Sequence, residues 1–305
     1  MRYLVNIKIL SGRNQNAFML MNDVEMINQV LEAVHFGQLV SPEGDEVSYR
    51  SILKIIHPDK SSHPSAADAT VKVLRLYEQF KNGWILSDDS GNFRTNDFWL
   101  CYYGEKNVID FGRTQQQLIY NIASPHLKKY MPYAWEGDQK LVFQHRALSL
   151  VGMTLAQEHV NWVVSRLLEF CMQLHRQTGQ AHMGLVPGHL FLLPETHGIC
   201  VTGFYHVTPL GKRVNTVSAA WRHWYPDDIF RTKTATEHAD LEMVKRVGAY
   251  LLGDGSGLGT ALIKTHNKDF VNFLLSSDHD SLDCYEKYRA MLDKNFPKQF
   301  IHLNI

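Results

Sequence analysis

Apolar and polar positions fall into two regimes along the 305-residue chain, changing near the turn-forming run Ser87-Asp88-Asp89-Ser90-Gly91-Asn92. Upstream, apolar residues recur at three- and four-residue spacing and predict helices over 23–34, 49–56 and 65–81, the last ended by Asn82-Gly83. Ahead of them, MRYLVNIKILSGRNQ alternates apolar and polar side chains and predicts a strand, unlike the unbroken apolar centre of a signal peptide. Downstream, over 93–152, the segments FWLCYY, NVIDF, KKYMPYAW and KLVFQH predict strands around one helical stretch, 115–122. From Thr154 the period returns to that of helices. Thr154 with Gln157 makes a capping box, followed by Val160, Val163, Val164, Leu167, Cys171 and Leu174 on one face. A further helix over 240–252 carries Leu241, Val244, Val247 and Leu251 on one side and Gly253 as a stop. Short strands (HLFLLP, GICVTGFY) and an irregular stretch over 209–237 lie between the two.

The pattern predicts an α+β chain in two parts. Residues 1–90 form a small helical domain with an N-terminal strand. Residues 91–305 form a two-lobed domain, strand-rich over about 93–152 and helical over about 153–305.

Composition narrows the partners. Lys and Arg total 31 against 31 Asp and Glu, and no basic run exceeds pairs such as Lys128-Lys129 and Lys245-Arg246. That balance argues against nucleic-acid and membrane-surface roles, which need local cationic excess. No stretch has the 18 or so apolar residues of a membrane span. Cys101, Cys171, Cys200 and Cys284 stand far apart, without the short paired spacings of zinc or redox motifs, so a reducing, cytoplasmic setting is expected.

The most specific local signal is YRSILKIIHPDK, 49–60. Ile52, Leu53, Ile55 and Ile56 give it a buried side, while Arg50 and Lys54, four apart, share an exposed one. Pro58 stops the helix and displays His57, Asp59 and Lys60 at a loop tip. Taken alone, Pro-Asp is a common turn dipeptide. In context the segment resembles the J-domain co-chaperones, with their basic helix, HPD loop and second antiparallel helix. Tyr49 and Arg50 match the helix opening eight residues before His57. Val73, Leu76, Tyr77 and Phe80 match the apolar positions of the next helix, and Ser87-Asp88 is similar to the family's Leu-Ser-Asp ending. The resemblance covers about 22–88. It implies docking on a DnaK-type heat-shock chaperone and stimulation of its ATP hydrolysis through Arg50, Lys54, His57, Pro58, Asp59 and Lys60. The chain departs from the family in lacking the Tyr-Tyr start of the first helix and in carrying only two cations before the loop. Fewer cations slow a charge-steered encounter.

The segment from Leu167 to Tyr205 resembles the catalytic-loop region of protein and small-molecule kinases: a long helix, a His- and Pro-containing loop, two short strands and a turn. Aligned on His182, Leu185 and Pro187, the family's catalytic Asp falls on Gly184, its metal-binding Asn on His189, and the Asp of the later turn near Gly203, just before Phe204. Phosphoryl transfer needs oxygen ligands for magnesium and a carboxylate to orient the nucleophile, and these residues offer none. Ser124-Pro125-His126 is similar to the turn before the hinge, Trp224-Tyr225-Pro226-Asp227 to the Ala-Pro-Glu segment, and Asp240 to the buried Asp that ties its helix to the catalytic loop. No glycine-rich phosphate loop is evident, and Gln115, Gln116 and Gln117 stand where a Glu is expected. Asp110-Phe111-Gly112 precedes the catalytic-loop match, the reverse of the family's order. The resemblance implies a pseudokinase: no catalytic residues and no cofactor, with ATP binding left open.

Sixteen histidines raise the question of a metal. His175, His182, His189 and His197 recur at seven, seven and eight residues, but Gly184, Pro187 and Gly188 break any helix that would align them, so loop and core roles are expected and no metal site. GDGSGLGT, 253–260, follows a helix and lacks a Lys, which suits a helix stop and flexible turn better than a phosphate loop. Trp221, His223, Trp224 and Tyr225, followed by Asp227 and Asp228, read as packing of the irregular stretch more readily than as a binding surface.

The expected function is a J-domain adaptor whose inert kinase-like domain selects an unidentified protein client. The alternatives are an unconventional nucleotide-binding enzyme and a decoy that occupies the chaperone without stimulating it.

Overall fold

A computed structural model describes residues 22–33, 36–39, 45–297 and 303; the strand expected at the amino terminus lies outside them. The chain divides into two compact units, 1–84 and 85–305, and is mixed α and β.

Three helices build the first unit: α1 (Asp23–Glu32), α2 (Asp45–Ile56) and α3 (Ala66–Asn82). α1 starts on a capping box, the Glu25 N–H donating to Asn22 Oδ1 at 2.9 Å and the Asn22 N–H to Glu25 Oε2 at 3.3 Å. α2 starts at Asp45, ahead of the expected Tyr49. α2 and α3 run antiparallel, because Thr70 at the start of α3 donates to the Ile56 carbonyl ending α2 (3.4 Å), while Tyr49 stacks on Tyr77 at 3.8 Å near their other ends. Met26, Ile27, Val30, Phe36, Ile52, Ile56, Val73 and Leu76 fill the space between the helices. Each is fully or almost fully buried, a gain of about 1.5–3 kcal/mol for a large apolar side chain.

β1 (Trp84–Asp88) begins at the boundary and leads into the second unit, followed by β2 (Gly91–Thr95) and β3 (Trp99–Tyr102). Ser87-Asp88 therefore ends a strand. It does not close the helical block, since α3 already stops at Gly83, whose φ of +75° suits glycine. α4 (Lys106–Ile122) and the single turn α5 (Pro125–Lys128) follow, then β4 (Tyr133–Glu136) and β5 (Lys140–Phe143). β1 to β5 form one sheet in the order β1-β2-β3-β5-β4.

NVIDF, expected as a strand, lies in α4. Ile109, Gly112, Gln116 and Ile119 recur at helical spacing and are the positions buried along it. Gly112 is where α4 comes closest to the segment below it: a Cβ there would stand 3.2 Å from Tyr205.

β6 (Leu148–Ser149) leads to α6 (Gln157–Thr178), β7 (Gln180–Ala181), β8 (Leu190–Leu193), β9 (Gly198–Val201) and β10 (Thr208–Pro209). The sheets are β6-β8-β9 and β10-β7. The expected capping box at Thr154 does not form; the N-cap is Ala156. The Leu155 N–H donates to Leu251 O at 2.8 Å, which holds that backbone outside the helix. Then come α7 (Asp227–Thr232), α8 (Glu237–Leu251), α9 (Lys268–Leu275) and α10 (Ser281–Asn295). α6 and α8 are buried over most of their apolar residues and meet at Gly248, where a Cβ would come within 2.8 Å of Val164. Trp224 and Tyr225 are buried in this core, as the packing reading expects.

Candidate functional site

In the first unit, the loop joining α2 to α3 is both displayed and organised. The His57 and Asp59 side chains are 47% and 83% exposed. The His57 carbonyl accepts from the N–H groups of Lys60 (2.7 Å) and Ser61 (3.0 Å), and its Nδ1 accepts from the Asp59 N–H (3.2 Å). The loop's far foot is fixed to α1 by Ser61, which donates to Asp23 Oδ2 at 2.5 Å and holds that carboxyl below its ordinary value. Arg50, on the exposed side of α2, pairs with Glu46 at 2.6 Å, which offsets part of the helix's positive charge; Lys54 and Lys60 are exposed.

In the second unit, Asp240 is completely buried on α8 and organises the loop after β7. Its Oδ2 accepts from the His182 N–H at 2.7 Å and its Oδ1 from the Met183 N–H at 2.7 Å. Oδ2 also meets His175 Nε2 at 2.9 Å, and Glu237 lies 3.5 Å from His175 Nδ1. Burial opposes charge on His175, but hydrogen bonds to Asp240 and Glu237 outweigh it and raise the imidazole to about 9. His182 behaves oppositely. Burial lowers it to about 3, so its ring is neutral, with Nε2 donating to the Thr202 carbonyl at 3.0 Å. Met183 takes a positive φ of 59°, and its carbonyl accepts from the Tyr225 hydroxyl at 2.5 Å.

Gly184, His189 and Gly203 converge beside this loop. His189 Nδ1 donates to the Gly184 carbonyl at 2.7 Å, while Nε2 lies 2.7 Å from the Tyr205 hydroxyl and 3.5 Å from Asp88 Oδ2. A Cβ on Gly203 would stand 2.5 Å from the His189 ring, and one on Gly184 would stand 2.5 Å from the His206 ring. Two histidine rings thus occupy the volume that side chains at those glycines would need.

Two carboxylates, Asp88 at the end of β1 and Asp89 in the turn after it, complete the cluster, and sequence reasoning missed both. Asp88 faces His189. Asp89 Oδ2 meets His206 Nε2 at 3.2 Å, while its Oδ1 accepts from the Ala219 N–H at 2.7 Å. Burial raises Asp89, but His206, Ser218 and Ala219 outweigh that and bring it to about 2. Burial also keeps His206 neutral below its ordinary range, so Nε2–H donates to Asp89 and Nδ1 accepts from the Thr216 hydroxyl at 2.7 Å. The available signal was the Asp-Asp pair in a turn, which read as a domain boundary.

Cys171, His175 and Asp240 bring three metal-ligand atoms within 4.8 Å of one another. The donor set does not suit a cation. Both Asp240 oxygens accept from N–H groups, the Cys171 thiol is raised by burial and stays protonated, and His175 is held cationic. His197, also in the expected series, lies away from these residues, stacked on Trp162 at 5.0 Å.

The Asp110-Phe111-Gly112 triplet lies within α4, where Asp110 pairs with Arg113 at 3.1 Å. The segment after α8 is an ordered turn: Asp254 accepts from the Ser256 hydroxyl (2.6 Å) and the Gly259 N–H (2.8 Å). No described helix is long and apolar enough to cross a membrane. No protein-family model and no curated protein matches the chain.

Proposed function

We propose that the chain is a J-domain co-chaperone adaptor: the loop at His57-Pro58-Asp59 recruits and stimulates a DnaK-type heat-shock chaperone, and a kinase-like second domain without transfer chemistry presents a client. The observation that carries this reading is the loop itself. It crowns an antiparallel helix pair, presents His57 and Asp59 to solvent, and is held in shape by four hydrogen bonds from its own backbone and side chains and from Ser61 to Asp23. A preformed, exposed loop of this kind docks with little ordering cost.

Support for a kinase-like second domain comes from Asp240, which ties α8 to the loop at His182 and Met183, and from a five-stranded sheet followed by a largely helical region. Support for its silence comes from the rings of His189 and His206, which fill the space at Gly203 and Gly184. Asp88 and Asp89 add negative charge there, which opposes a polyphosphate. On this reading the protein works in the cytoplasm, without a cofactor and without nucleic-acid or membrane partners.

The Arg50–Glu46 pair favours a second reading, in which a weakened basic helix occupies the chaperone without accelerating it. Titrating fluorescently labelled, ATP-loaded chaperone with the full chain separates function from coincidence. The adaptor and the decoy both predict saturable binding that His57→Gln removes. Equal binding by the variant contradicts both.

A further inference from the structure

A cavity in the second unit lies apart from the histidine cluster, between the α5–β4 connection, α6 and the β8–β9 turn. It measures about 450 Å³, within the size range of small-molecule sites. Three fixed cations, Lys128, Lys129 and Arg166, line it together with His145 and His197, and no carboxylate does.

The neighbouring acid makes this more than a scatter of surface lysines. Glu169, only 15% exposed, accepts from Lys129 Nζ at 2.7 Å, Arg166 at 3.0 Å and the Tyr130 hydroxyl at 2.8 Å. One carboxylate thereby holds two cations at the wall, and the cavity keeps a positive excess. Lys128 Nζ lies 4.9 Å over the ring of Tyr120, another lining residue. The walls are structured: Lys128 ends α5, Arg166 lies in the middle of α6, and Thr196 and His197 belong to the turn between two paired strands. Cations held in place by a partly buried partner bind an anion with less ordering than free side chains would.

We propose that this cavity binds a small diphosphate-bearing anion, either free inorganic diphosphate or the diphosphate of a nucleotide. Size and charge select this class. The volume exceeds what a lone phosphate fills, and three cations at the wall against one carboxylate suit an anion with more than one negative charge. Tyr120 adds an aromatic face beside Lys128 for a base. The site is distinct from the residues implicated in chaperone docking and from the cluster at Gly184 and Gly203.

Isothermal titration calorimetry of the full chain with inorganic diphosphate, and separately with ADP, without divalent metal, tests the proposal. One saturable site for diphosphate is expected. Lys128→Gln, whose Nζ makes only the ring contact, weakens it about tenfold, the usual scale for loss of a charge-assisted contact. Lys264→Gln, exposed and outside the cavity, leaves it unchanged, and His57→Gln does the same. Tighter binding of ADP than of diphosphate identifies a nucleotide as the source; equal binding identifies the free anion. No saturable binding of diphosphate at millimolar concentration overturns the proposal. So does equal affinity in Lys128→Gln, or an equal loss in Lys264→Gln, which would report general charge attraction.

Discussion

The His189 ring stands where a side chain on Gly203 would have to be: a Cβ there would approach it to 2.5 Å, at a backbone φ of +75° that already disfavours anything but glycine. His206 makes the same demand on Gly184. Gly203→Asp and Gly184→Asp, which on the proposed kinase-like reading would restore carboxylates, are therefore expected to destabilise the second unit by about 3 kcal/mol or more. Neither gains phosphoryl transfer. Urea denaturation followed by tryptophan fluorescence reads the change, since all tryptophans but Trp84 lie in that unit. Wild-type stability in either variant would show that the two rings move aside easily.

Asp240 is the corresponding positive element. Its carboxylate is wholly buried and accepts from two backbone N–H groups besides meeting His175. Asp240→Ala leaves the two backbone donors without a partner and the cationic His175 with Glu237 alone, 3.5 Å away, and a loss of about 3–5 kcal/mol is expected, as for a broken buried pair. Asp240→Asn keeps one acceptor oxygen and falls between the two. A loss under 1 kcal/mol in the alanine variant, on the same urea assay, would remove Asp240 as the organiser of the loop.

Opposed histidines give the second unit a stability optimum near pH 6.5. His182 is held to about 3 against an ordinary 6.5, so the unfolded chain binds the extra proton between those values and stability falls as pH drops through the window. The depressed His206 and Asp89 add to this acid limb. His175, raised to about 9, does the reverse: its contribution is complete below 6.5 and is lost as pH climbs through 9. Each singly shifted group gives a slope of up to about 1.4 kcal/mol per pH unit. Unfolding free energies from pH 4 to 10 should trace a dome, with His175→Gln flattening its alkaline side. A profile that keeps rising to pH 10 would contradict the assignment of a cationic His175.

Much of this was legible from local pattern. The helices of the first unit, the loop at His57 and the strands at 99–102, 140–143 and 190–193 follow from periodicity and from proline and glycine positions. The misreadings had tertiary causes. NVIDF carries β-branched and aromatic residues, yet Ile109 and Gly112 face the core at helical spacing only in company with Gln116 and Ile119 further on. Thr154 has the composition of a cap, but the Leu155 bond to Leu251 decides where the helix begins. Asp88 and Asp89 were invisible as site residues because their partners, His189 and His206, are more than a hundred positions away. A local reading of Asp-Asp-Ser-Gly sees only a turn.

The central claim is that the loop at His57-Pro58-Asp59 drives a chaperone's ATPase, and the direct measurement is steady-state ATP turnover by a panel of DnaK-type chaperones with and without the full chain. His57 and Asp59 are exposed, so His57→Gln should leave stability within about 0.5 kcal/mol and isolate function from folding. The account predicts saturable acceleration by the native chain with at least one chaperone and none by His57→Gln. Equal turnover with the native chain and the variant, across the whole panel, would contradict it.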